Sequence, residues 1–207
     1  MGIVGHHDVS TAFLESFHRR FNDTVHLVNP TIDLDMAELR EVAGYAVACA
    51  EPALVIFERD RPGDPRPRAA IDAARVFAQG AKRTKVIRDS AWAAHKAYQE
   101  ARDAGLEAAG DVARAAVAAA SAAFLHPLAK ATQVIHILGS AAHAARAFEL
   151  DAADDRRIGA AYIEKARGSA SPVVVDVLRR YPVAPGGRGR VGELVRSLDA
   201  SLRLSAG

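Results

Sequence analysis

Between Ala115 and Ala129 the chain carries no charged residue and is rich in alanine, and alanine supplies much of the hydrophobic half of the composition elsewhere. This constrains the fold more than any other feature. An alanine side chain buries little area, so such a chain cannot be held together by bulky plugs. Its helices must approach one another closely instead. Aromatic residues make up only 6% of the chain, in keeping with that economy. A length of 207 residues suits one domain, or one domain with appendages.

Breaks in the pattern mark out the helices. Asp35, with Glu38 three residues on, has capping-box spacing. Beyond it Leu39, Val42, Ala43, Ala46, Cys49, Ala50, Ala53 and Phe57 lie on one arc, with Arg40, Glu51 and Glu58 opposite. Pro52 interrupts that run and predicts a kink. Asp64-Pro65-Arg66-Pro67-Arg68 opens the next helix, which ends near Gly80. Asp64 is placed to cap it, and the prolines fall where amides lack helical partners. Further helices are predicted from about Thr84 to Asp103, stopped by Gly105, then from Asp111 to Phe124 and from Pro127 to about Leu150. Three more follow: from a cap at Asp151 to Arg167, from Val173 to Arg180, and from Val191 to Leu204 after a Pro185-Gly186-Gly187 loop. Short connections favour antiparallel neighbours. The expectation is an all-α bundle of roughly six to eight mostly antiparallel helices.

Residues 1–34 differ from the rest. They hold four of the eight histidines, a short amphipathic pattern of Phe13, Leu14, Phe17 and Phe21, and a weakly alternating stretch from Thr24 to Val28. They are expected to form an N-terminal extension packing on a bundle of residues 35–207.

Several function classes recede. Net charge is +2, from 27 Lys and Arg against 25 Asp and Glu, a balance that argues against a nucleic-acid surface. Even residues 151–207 set ten basic side chains against seven acidic ones. The alanine-rich run falls short of the ~20 apolar residues a membrane span needs. Cys49 is the single cysteine, with no disulfide partner and no zinc spacing, which suits a reducing cytosol. It also lacks an adjacent base, so a nucleophilic role is not expected. The first residues lack a signal-peptide pattern, and the expected location is cytoplasmic. No cofactor and no metal are expected.

Three groups of residues are candidates for a site. His136 and His143 are seven apart in one helix, on a face shared with Gln133 and Ser140. They lie roughly 10 Å apart along the axis, too far to share one zinc ion. They either form a solvated polar face or line a pocket where histidine handles protons. Trp92, flanked by His95, points away from the apolar arc of Ile87, Ala91, Ala94, Tyr98 and Ala101. It either anchors a partner or is roofed by the aromatic N-terminal segment. Arg66 and Arg68 sit at a helix N-terminus, whose partial positive charge favours anions. Something negative must face them, either a structural carboxylate or a ligand.

The region from about Leu39 to Leu150 resembles the helical immunity-protein family of bacterial polymorphic toxin systems. The resemblance rests on Ala48-Cys49-Ala50-Glu51, on Asp64-Pro65-Arg66-Pro67-Arg68-Ala69-Ala70-Ile71, and on an alanine-rich tract leading to the His-bearing helix from His136 to Phe148. Members commonly show a closely spaced histidine pair in that late helix, whereas here Ser140 stands four residues after His136. The resemblance implies a helical bundle that neutralises a toxin.

The leading expectation is therefore a non-enzymatic cytosolic binding protein of immunity type. It would present Arg66, Arg68, Trp92 and His95 to a protein toxin. The alternative is a small helical enzyme or small-molecule binder, with His136 and His143 as catalytic groups and Gln133 and Ser140 beside them. The sequence does not decide between enzyme and binder.

Overall fold

The computed structural model describes residues 30–187 and 189–204. The chain divides into two compact units after Pro30. The Phe13–Phe21 helix, the Thr24–Val28 stretch and the packing of the extension fall outside the described residues, as does a roof of that segment over Trp92.

The helices are α1 (Met36–Ala50), a 3-10 turn (Glu51–Ala53), α2 (Leu54–Asp60), α3 (Arg66–Ala78), α4 (Lys85–Asp103) and α5 (Glu107–Ala122), followed by α6 (Gln133–Asp151), α7 (Arg156–Ser169), α8 (Pro172–Arg180) and α9 (Arg190–Leu204). The fold is an all-α multi-helix bundle. Among the described residues the only β pairing is an isolated bridge between Thr31 and Leu128.

α1 begins with the expected capping box. Asp35 Oδ1 accepts the Glu38 N–H at 2.8 Å, and Glu38 Oε2 accepts the Asp35 N–H at 3.0 Å. All eight residues of the predicted arc are buried. Pro52 does more than kink the run. It tightens residues 51–53 into the 3-10 turn and divides one expected helix into α1 and α2.

α5 is the hub, packing against α1, α2, α3, α4 and α6. Its buried side is almost entirely alanine, Gly110 and Val112. Small side chains let five neighbours crowd one helix. α6 in turn packs on α5, α1, α7 and α9, and α8 packs on α1.

Four predicted boundaries move. α3 starts at Arg66, with Pro65 in the cap position, and Asp64 Oδ1 accepts the Arg66 N–H at 3.2 Å. α5 starts at Glu107, four residues before the predicted Asp111. α6 starts at Gln133 rather than Pro127, because Pro127 and Leu128 instead join the segment before α1. The Ile32 N–H donates to the Pro127 carbonyl at 2.6 Å. Asp151 ends α6, and Asp155 caps α7, accepting the Arg157 N–H at 3.0 Å. Between them Ala153 and Asp154 take left-handed φ values of 54° and 65°, which no local sequence signal announces.

Candidate functional site

α4, α5 and α6 present two adjoining open grooves of about 560 and 580 Å³. His95 and Arg114 line both. The first groove continues over Tyr98, Arg102, Glu107, Asp111, His143 and Arg146. The second continues over Arg88, Trp92, Phe124 and His136.

α4 supplies an aromatic row at i, i+3 and i+6, the spacing that keeps side chains on one helical face. Trp92 meets His95 edge-on at 6.0 Å between ring centroids, and His95 lies 5.6 Å from Tyr98. Trp92 remains 63% exposed, an unusual degree for so large an apolar ring. Guanidinium groups cover the neighbouring rings. Arg114 lies 5.3 Å over Tyr98, and Arg88 lies 5.1 Å over Phe124. Such cation–π contacts hold a charged group in place without neutralising it.

The two histidines of α6 face different grooves. His143 Nδ1 lies 2.6 Å from Asp111 Oδ1 on α5. A carboxylate only accepts hydrogen bonds, so Nδ1 carries the proton and Nε2 is left for other partners. His136 lines the other groove, and burial pushes its imidazole below the ordinary value of 6.5. Ser140 lies between them in the sequence but lines neither groove. It is fully buried, and its hydroxyl donates to the Ala115 carbonyl at 3.2 Å. Gln133 also lines neither groove, and its Oε1 accepts the His126 N–H at 2.8 Å. The structure thus brings His136 and His143 to one face but does not gather the four residues into one cavity.

Arg66 and Arg68 lie elsewhere and are matched by carboxylates of the chain itself. Arg66 pairs with Asp64 at 2.7 Å and with Glu100 of α4 at 2.5 Å. Arg68 pairs with Glu58 at 2.5 Å. The uphill placement of two cations at a helix N-terminus is thereby resolved internally. Cys49 is buried, and its thiol is pushed up to about 11, chiefly by loss of solvent. That leaves it without thiolate character at neutral pH.

The sequence places Arg88 on the side toward which Trp92 points, but does not single out Tyr98, Asp111 and Arg114, which also line these grooves. Arg114 had one available signal, as the lone cation of an otherwise alanine-rich helix. Tyr98 was assigned to the apolar arc, and its ring does pack on the core while one face meets Arg114. Among the described residues, no group of three or more His, Cys, Asp or Glu side chains is arranged to hold a metal ion. No described helix is long and apolar enough to cross a membrane.

The helical bundle thus displays an exposed tryptophan on a face where, among the described residues, Arg88 and Arg114 form no ion pair. Residues 33–167 match the Imm-5 like putative immunity protein family, and the chain belongs to that family. The match runs further than the Leu39–Leu150 resemblance read from motifs. It takes in α7 almost to its end and leaves α8 and α9 outside. No curated protein and no solved structure matches the chain.

Proposed function

We propose that the protein is a non-enzymatic, cytoplasmic binding protein that neutralises a protein toxin by direct contact, using the face around Trp92 and His95. Family membership supports an immunity role and a protein partner in general. The observation that carries the choice of face is Trp92, a large ring left 63% exposed beside a groove. Aromatic side chains in such positions supply contact area at little cost in conformational entropy. Arg66 and Arg68 contribute less, because their charge is already answered by Asp64, Glu100 and Glu58.

The test is co-expression with the toxins encoded beside the gene, followed by affinity capture. Wild type restores growth and forms a one-to-one complex, and Trp92→Ala weakens that complex by about tenfold or more. If no such toxin is bound or neutralised, the reading is wrong.

The His143–Asp111 pair favours a second reading, acid–base chemistry on a small molecule with His143 and His136 as the catalytic groups. It is the weaker of the two. The grooves are open rather than enclosed, and the Ser140 and Gln133 side chains are committed to backbone partners.

A further inference from the structure

We infer that the groove face of α4, α5 and α6 receives a carboxylate-rich segment of the protein partner, gripped by Arg88 and Arg114. This rests on the binding-protein reading above and names the chemistry of the contacting segment.

The argument begins from the charge left over. Four arginines line the two grooves against two carboxylates, Glu107 and Asp111. Asp111 is engaged by His143. Arg102 pairs with Asp103 at 3.0 Å, and Arg146 pairs with Glu149 at 3.0 Å and with Asp154. Arg88 and Arg114 form no ion pair among the described residues. This contrasts with Arg66, Arg68, Arg180 and Arg190, all of which meet carboxylates of the chain.

The two free guanidiniums are also pre-positioned. Stacking on Phe124 and Tyr98 restrains each group, so less side-chain entropy is lost when an oxygen ligand arrives. The planar fork of arginine matches a carboxylate in bidentate fashion. Arg114 belongs to both grooves, so an extended segment lying along them passes it in either half. Trp92 and His95 then cover the apolar parts of the same segment.

Nucleic acid is the other polyanion to consider, and the lining argues against it. Glu107 is exposed in the first groove and opposes the evenly spaced phosphates of a nucleic-acid backbone, whereas a peptide can set its carboxylates opposite Arg88 and Arg114 alone. The net charge of +2 offers no wider basic field to attract one.

Trp92 is the only tryptophan, so its emission reports directly on this face. The full chain is titrated with a glutamate-rich synthetic peptide, a lysine-rich peptide and a single-stranded oligonucleotide at low and high salt. Wild type should show a saturable emission change with the glutamate peptide alone, weakened by salt. Arg88→Glu and Arg114→Glu should each weaken binding by about tenfold or more, the loss of one charge-assisted contact. Arg156→Glu, on a helix that lines neither groove, should bind as wild type does. Circular dichroism checks the fold, and Arg88→Gln and Arg114→Gln replace any reversal that unfolds the chain. No saturable change with the glutamate peptide, unchanged affinity in both arginine variants, or tighter binding of the oligonucleotide would each overturn the inference. None of these titrations needs the toxin. They decide the chemistry of the groove separately from the neutralisation test, which decides the immunity reading.

Discussion

Gly159 on α7 faces the carboxylate of Glu149 on α6 so closely that a Cβ atom there would stand 2.1 Å from Oε1. Glu149 cannot retreat, because Arg146 and Arg190 hold its oxygens from two sides. Gly159→Ala should therefore destabilise the fold by about 3 kcal/mol, the cost of overpacking a site whose neighbour is pinned. Urea unfolding followed by circular dichroism measures it.

Glu149 is itself fully buried, and Arg190 reaches it from α9 with contacts of 2.6 and 3.0 Å to Oε1. This pair ties a helix outside the family match to one inside it. Glu149→Gln leaves two arginines with an uncharged partner, and a loss of about 3 kcal/mol is expected. Replacing Glu149 and Arg190 together by methionine should recover part of that loss, because the Arg190 charge is then gone and Arg146 keeps its pairing with Asp154. The denaturant midpoints of the single and double variants test this, and equal midpoints would contradict it.

Alanine at the α5 hub is a requirement of spacing and not a filler. Ala119 has no exposed surface. Ala119→Leu should cost about 3 kcal/mol, while Ala161→Leu on the exposed side of α7 should shift stability by no more than about 0.5 kcal/mol. Thermal melts of the two variants, read side by side, decide whether close approach is the organising feature.

Acid should weaken the junction between α3 and α4. Hydrogen bonding to Arg66 holds the Asp64 carboxyl below its ordinary value of 3.8, and the same guanidinium lowers Glu100. For carboxyls lowered in this way, the stabilisation is complete above the unfolded-state value and is lost as pH falls through the folded-state value. The stability gap between wild type and Arg66→Met should then be largest near pH 7 and should shrink below about pH 4. Urea midpoints across that range provide the check.

His136 carries the opposite kind of group. Burial disfavours its charged form, so it should titrate below 6.5 in the folded chain. The unfolded chain takes up this proton first, so protonation at this position costs stability as pH falls below 6.5. His136→Phe should flatten that part of the stability profile. Titration of the imidazole resonances by NMR, with His136→Phe for assignment, tests the direction.

Much of the scaffold could be read from neighbouring residues. The capping box at Asp35, the buried arc from Leu39 to Phe57, the stop at Gly105 and the outward placement of Trp92 all depend on contacts within a turn or two of the chain. The same holds for the spacing of His136 and His143, which α6 carries on one face but over different grooves. Boundaries failed where distant segments intervened. Pro127 did not open α6, because its carbonyl is used by Ile32.

The amino-acid sequence by itself thus determined the helical class and the small-residue packing, because helix periodicity and capping are properties of residues a few positions apart, while the resemblance to the family rested on its motifs. The tertiary structure alone decided which charges are spent and which are free. Arg66 is answered by Glu100, 34 positions away, and Arg190 by Glu149, 41 positions away, while among the described residues Arg88 and Arg114 stack on aromatic rings and form no ion pair. The physical reason is that an ion pair between helices depends on their register and rotation, which close packing of the whole bundle sets.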